Sequence, residues 1–304
     1  TVKKEDGALD LSAMIAKTKE CIANGVEIIC EASFDFCGLY CAVDILRKDG
    51  DGYSIYEVKS STEIKPVYIF DISYQKYVLE KCGVNVKHTY LVYINNEYVR
   101  EKELDIKQVF KVKNVDGLVA KEYGNVEGLL QSAEAMLADE QEPRIDISIN
   151  CFAPYKCGFW KYCSKHLPNP SVFNMYRLPK IKAFECYEQG VVSFEDYERT
   201  GWYFSDKINR QVDFNLHDKG VYSDKGGIKK FLDTLSYPLY FLDFETMQPI
   251  LPPFEGTSPY QQIPFQYSLH YIEKEGGELK HKEFLAVSGE NPLRAIAESL
   301  VKDI

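Results

Sequence analysis

The 304-residue sequence has no apolar run that approaches the ~18 residues of a membrane span, so no membrane partner is expected. Its opening residues, TVKKED, are polar and carry no signal peptide, which points to the cytoplasm. An initiator Met is also missing, which suggests a processed or cut chain. No internal repeat and no low-complexity tract is present, and ordinary hydrophobic and charged fractions of 45% and 27% exclude a disordered or collagen-like chain. Positive charge is in deficit: 36 Lys and Arg stand against 46 Asp and Glu, a net charge of −10. That excludes a globally basic nucleic-acid coat and leaves room for a local basic stripe. The nine cysteines, odd in number and without a secretory signal, argue against a disulfide framework. Reduced thiols, some of them on a metal, fit better.

What is present reads as a mixed α/β chain. Apolar positions Leu11, Met14, Ile15 and Ile22 predict a helix over 8–24. Strand-like runs follow at 26–34, 39–46 and 53–59, the last two joined by the turn signal Asp49-Gly50-Asp51-Gly52. A helix over 72–81, a strand over 88–94 and a helix over 115–138 complete an α-β-β-β-α-β order with a helical addition. Residues 184–236 look like short helices and turns. Strands are then expected at 239–244, 265–272 and 284–287, with a final helix opening near Asn291-Pro292.

Three groups of residues carry chemistry. In Glu57-Val58-Lys59, strand alternation sends Glu57 and Lys59 to one face, and the hairpin brings Asp44 beside Glu57. Two converging carboxylates suit a hard cation such as Mg²⁺ or Mn²⁺, and the neighbouring Lys suits an attacking water or a phosphate. A bare Glu-x-Lys on a strand is otherwise a surface charge pair. The second group is Cys151, Cys157 and Cys163, spaced Cys-x5-Cys-x5-Cys with Pro154 and Gly158 between them. Such thiols suit zinc or an iron–sulfur cluster, both of which normally want four ligands; buried free thiols are the plain alternative. Around them, residues 151–182 hold six Lys and Arg, no acid and seven aromatics. Most of these aromatics are expected to pack, with the Lys side chains given a modest role on phosphate. The third group is Asp243 and Glu245, alternate positions in the otherwise apolar YFLDFET, where carboxylates are costly unless paired or metal-bound.

The runs around Glu31, Val43-Asp44-Ile45-Leu46, Tyr56-Glu57-Val58-Lys59 and Asp71 to Gln75 resemble the RecB-type PD-(D/E)XK nuclease core, over about residues 8–165. The resemblance implies that Asp44 and Glu57 ligate a divalent metal, with the Val58 carbonyl as a further ligand, and that Lys59 is catalytic. Gln75 would support the site and Glu31 would add an acid. RecB-like helicase–nucleases close this domain with a [4Fe–4S] cluster on one upstream and three downstream cysteines. Cys151, Cys157 and Cys163 are similar in position, with zinc as the alternative metal and the fourth ligand not identified. The stretch LDFET resembles the first motif of DEDD-type 3′–5′ exonucleases on an RNase H-like fold, implying that Asp243 and Glu245 bind metal. Further ligands of that motif set would lie downstream, making this domain incomplete.

Taken whole, with PYKCGFWKYC, LDFET and PYQQIPFQ in order, the chain resembles a bacterial family that joins a RecB-like nuclease core to a C-terminal domain of unknown function. The expected domains are 1–170 (nuclease, with the cysteine segment), 171–236 (helical linker) and 237–304 (the start of an RNase H-like domain). The expected function is metal-dependent hydrolysis of DNA, single-stranded DNA included, as an (exo)deoxyribonuclease in repair, recombination or defence. The alternatives are an inactive nucleic-acid-binding or assembly module with the nuclease fold, and a zinc-stabilised interaction protein.

Overall fold

The computed structural model describes residues 2–304, in two compact units. One unit combines the chain up to Ala138 with Ser236–Ile304; the other is Asp139–Leu235. The first boundary falls after Ala138 and not at the expected 170, because the cysteine segment packs with the helices that follow it, while the second lies within a residue of the expected 236. Among the described residues no helix is long and apolar enough to cross a membrane.

The first unit opens with α1 (Leu11–Ala23), β1 (Ile28–Phe36), β2 (Leu39–Asp49), β3 (Gly52–Lys59), α2 (Pro66–Lys81) and β4 (Val86–Ile94). This is the α-β-β-β-α-β order expected from periodicity. A short α3 (Ile106–Val109), β5 (Phe110–Asn114) and α4 (Asp116–Ala138) follow. The sheet runs β1-β2-β3-β4-β5 and is mixed. Only β3 and β4 are parallel, because α2 carries the chain back between them. The β2–β3 hairpin closes where Asp49 pairs with Gly52, and Gly50 takes φ +59 in the turn. Gly52 has a packing reason as well: a Cβ there would lie 2.3 Å from the Asn85 carbonyl oxygen.

Helix α2 starts six residues earlier than expected. Pro66 stands at its first turn, where the missing N–H costs nothing and φ is already helical. Leu46, Ile55, Ile72, Leu79 and Leu91 are fully buried between sheet and helices. Each contributes on the order of 1.5–3 kcal/mol relative to exposure. Strand β5 was not expected, since FKVKN is short and mostly polar, as befits an edge.

The second unit holds α5 (Trp160–Cys163), α6 (Lys180–Glu188), α7 (Phe194–Thr200), α8 (Asp206–Leu216) and α9 (Lys225–Leu232), with short 3₁₀ turns between. Its core gathers Val172, Met175, Phe194, Tyr197, Ile208 and Val212. Ser193 and Asp196 form a reciprocal cap at the start of α7.

The first unit is completed by β6 (Leu239–Met247), β7 (Ile263–Ile272), β8 (Lys280–Leu285) and α10 (Pro292–Asp303). These strands form an antiparallel sheet in the order β6-β7-β8. Tyr267, Leu269 and Ile296 make its core. Strand β8 sits earlier than the expected 284–287 because its pairing with β7 begins at Lys280. The loop between β6 and β7 packs back on the first sheet's connections. Arg100 donates to the Pro252 and Pro253 carbonyls at 3.0 and 2.6 Å, and the Tyr260 hydroxyl donates to the Ser60 carbonyl at 2.5 Å.

Asp116, the first residue of α4, ties that helix to β4. Its carboxylate accepts from the Thr89 N–H at 2.7 Å and the Thr89 hydroxyl at 2.8 Å. Partial burial alone would raise its pKa, but hydrogen bonds with His88, Asn114 and Thr89 outweigh that and bring it to about 2. The stabilisation is present above the ordinary value of 3.8 and is lost as pH falls through about 2. Acid titration followed by circular dichroism should show stability falling over that window. In Asp116→Asn the fall should be shallower; an unchanged acid limb would contradict this role.

Candidate functional site

The site is built where the β2–β3 pairing stops. Ile45 pairs with Tyr56, so Asp44 and Glu57 are the next positions along the two strands. On the other side, Cys30 pairs with Ile45 and Ala32 with Val43, which leaves Glu31 opposite Asp44. Three acids therefore stand in one row across β1, β2 and β3. Asp44 ends the ladder itself: its Oδ2 accepts the Val58 backbone N–H at 2.7 Å, replacing a carbonyl from the neighbouring strand.

Glu57 is the buried member of the row, 5% exposed. Burial raises its pKa, and the nearby Asp44 charge adds to the rise, while hydrogen bonds from Lys59 and Gln75 oppose it. Lys59, two residues on and on the same side of β3, donates to Glu57 Oε1 at 2.6 Å and to Asp71 Oδ2 at 2.8 Å. Its Nζ also lies 5.4 Å from the Tyr68 ring centroid. Burial would lower the Lys59 pKa; its bonds to Asp71 and Glu57 win, and the ammonium is held above the ordinary lysine value.

Helix α2 supplies the rest. Asp71 and Gln75 are four residues apart and so share one helical face. Gln75 Nε2 donates to Glu57 Oε2 at 2.8 Å and to Asp71 Oδ1 at 3.4 Å. The other amide atom, Gln75 Oε1, is buried without a hydrogen-bond partner. Asp71 stands in the run that carries the resemblance but has no role there; the structure sets it against Lys59 and Gln75. Its helical spacing to Gln75 was the available signal.

The structure thus joins Asp44, Glu57, Lys59 and Gln75, with Val58 held between Asp44 and the strand. Glu31 stands in the row but outside the hydrogen-bonded cluster. Its backbone has φ +55 and its side chain is exposed. Left-handed backbone at a non-glycine residue costs about 1 kcal/mol or more, and here it falls at the point where the acids line up. The oxygens of Asp44, Glu57 and Gln75 are hard donors, and two carboxylates are what Mg²⁺ commonly takes from a protein. The donor set therefore fits a divalent cation. Among the described residues no three His, Cys, Asp or Glu side chains converge on a metal position, so the protein would supply only part of the coordination.

The other two groups are placed differently. Cys151 is partly exposed, and Cys157 and Cys163 are exposed. The Cys157 N–H donates to the Cys151 carbonyl at 2.8 Å, yet the three thiols do not converge. Metal at these thiols is implied by the resemblance. Of the seven aromatics there, Phe152, Trp160 and Phe173 pack together, with Trp160 4.7 Å from Phe152 and 5.4 Å from Phe173 between centroids, whereas Tyr155, Phe159, Tyr162 and Tyr176 are exposed, contrary to the expectation that most would pack. Asp243 and Glu245 sit on β6 opposite Ser268 and Gln266. Both are exposed on an edge strand, so they carry no burial cost there and share no third acid.

The Glu57–Lys59 pair makes a measurable demand on stability. Lys59→Ala should cost roughly 3 kcal/mol in chemical denaturation, since it leaves a buried carboxylate uncompensated. Glu57→Gln in the same background should recover most of the loss. A Lys59→Ala loss below about 1 kcal/mol would show that Glu57 is not held by this contact.

Comparison with known proteins addresses only the C-terminal part. The family model described as "Domain of unknown function (DUF2779)" matches residues 240–304, from β6 to the end of the chain. No curated protein and no solved structure matches the chain.

Proposed function

We propose that this chain is a metal-dependent nuclease of the RecB-like PD-(D/E)XK type, hydrolysing phosphodiester bonds of DNA. The observation that carries the reading is the cluster itself. A Glu and a Lys from β3 and a Gln from α2 meet in one hydrogen-bonded group, and an Asp from β2, bonded to the Val58 N–H, stands beside it at the end of a paired ladder. The strand order, with β3 and β4 joined in parallel through α2, agrees with that family's core.

Each residue has a physical task in this reading. Asp44 and Glu57 would hold Mg²⁺ or Mn²⁺, which when bound would offset phosphate charge and lower the pKa of a water. Asp44 is oriented by the Val58 N–H, and Glu57 by Gln75. Lys59 stands beside both carboxylates of its own cage, Glu57 and Asp71, placed to orient a water or to stabilise charge on a phosphate. Asp71 keeps the ammonium protonated and in place. The Tyr260–Ser60 contact anchors the backbone immediately after Lys59.

The C-terminal region is read, in the same proposal, as the opening of an RNase H-like exonuclease domain. Its support is an antiparallel three-stranded sheet followed by a helix, with Asp243 and Glu245 exposed at alternate positions of the first strand. Metal at these two residues, and at Cys151, Cys157 and Cys163, belongs to the resemblance alone, and no step depends on it.

A second reading is a non-catalytic nucleic-acid-binding module with the same fold. One observation favours it: Lys59 neutralises Glu57 directly, occupying an oxygen that a cation would use. Cleavage of linear DNA with Mn²⁺ decides between the two. The wild type should cut, and Lys59→Ala and Glu57→Ala should each lose at least about a hundredfold in rate. Full cleavage in both variants would sink the assignment. Loss in Asp243→Ala with none in Lys59→Ala would move the chemistry to the second sheet.

A further inference from the structure

The second unit contains a cleft of about 840 Å³ that plays no part in the site above. One wall is α8, where Lys207, Arg210 and Phe214 recur at helical spacing and therefore share a face. Facing them are Tyr176, from the turn before α6, and Tyr222, from the loop after α8. Tyr176 and Tyr222 are 45% and 47% exposed.

The cations are already placed against the rings. The Arg210 guanidinium lies 3.8 Å from the Tyr222 centroid, and Lys207 Nζ lies 5.6 Å from that of Tyr176. Arg177 approaches the same Tyr176 ring at 5.2 Å. Phe214 meets Tyr222 edge-on at 5.7 Å and fixes its orientation. Gln211 pins the opposite side: its Oε1 accepts the Tyr176 N–H at 2.7 Å, and its Nε2 donates to the Asn174 carbonyl at 3.0 Å.

In a chain of net charge −10, cations normally find acids. Here, among the described residues, Lys207, Arg210 and Arg177 make no ion pair. The acids of α8 are committed elsewhere: Asp213 to Lys219 and His217, and Asp206 to the Tyr203 hydroxyl. Asp218 is the single acid lining the cleft. Unpaired cations beside exposed, pre-oriented rings are complementary to a ligand that alternates anionic groups with flat aromatic ones. A duplex hides its base faces, whereas a single strand offers them.

We infer that this cleft binds single-stranded nucleic acid, with Tyr176 and Tyr222 stacking on bases and Lys207, Arg210 and Arg177 holding the backbone phosphates. The choice of polymer rests on the nuclease reading, while the binding chemistry stands on the cleft. The volume suits a few nucleotides.

The test is fluorescence anisotropy of the full chain with labelled oligothymidylate, oligouridylate and a DNA duplex, in EDTA so that nothing is cut. The wild type should bind both single strands more tightly than the duplex. The double variant Lys207→Glu/Arg210→Glu should weaken single-strand binding by at least about tenfold and flatten its salt dependence. Tyr222→Ala should weaken it about tenfold with the salt dependence unchanged. Lys207→Glu alone, an exposed position, serves as the variant least able to disturb folding and should still weaken binding severalfold. Wild-type affinity in the charge variants, no binding by the wild type, or a preference for duplex would each overturn the inference. Binding that depends on the cleft, in a protein that cuts nothing with Mn²⁺, would sink the nuclease reading alone. Lys59-dependent cleavage with wild-type affinity in the cleft variants would sink the cleft alone.

Discussion

A buried carboxylate organises this protein's candidate site. Glu57 lies near the end of a strand, where an unpaired negative charge would be costly; Lys59 and Gln75 reduce that cost and Asp44 adds to it. Lys59 brings a positive charge and Gln75 brings an amide donor. Asp71 keeps the lysine and the glutamine on a common anchor. This arrangement needs β3 beside α2, and α2 in turn needs the parallel crossover to β4. The fold and the polar cluster are therefore one construction. Removing the charge at Glu57 would leave Lys59 with Asp71 alone, and removing α2 would leave Glu57 with half its hydrogen bonds.

The same cluster explains why the ladder stops where it does. A backbone N–H at Val58 that would pair with a strand carbonyl is taken by Asp44 instead. Glu31 adopts a left-handed backbone opposite it. Strain and side-chain substitution at one line across the sheet open a gap in regular pairing, and the acids occupy that gap. Nearby, the loop from the second sheet fastens Ser60 and Arg100. The C-terminal region that matches a family model thus reaches the strand end that carries Lys59.

Much of this was legible in the sequence, for identifiable reasons. The turn Asp49-Gly50-Asp51-Gly52 fixed the hairpin, and strand alternation fixed the common side of Glu57 and Lys59. The apolar periodicity located α1 and α4. Asp71 has no role in the sequence reading because periodicity starts α2 at 72, whereas Lys65-Pro66 marks the true start. The left-handed backbone at Glu31 has no signature in residue type. The run 239–244 looked like a core strand, yet β6 is an edge, and Phe241 is 54% exposed. The cleft on α8 lay within residues that read only as linker, because its cations and rings converge from separate turns.

The central claim is that Asp44 and Glu57 form a divalent-cation site on which phosphodiester chemistry depends. Titration calorimetry with Mn²⁺ addresses it without any substrate, comparing the wild type with Asp44→Asn and Asp243→Asn. The account predicts a saturable site in the wild type that is retained in Asp243→Asn and lost in Asp44→Asn. Equal Mn²⁺ binding by the wild type and Asp44→Asn, or none by the wild type, would contradict it.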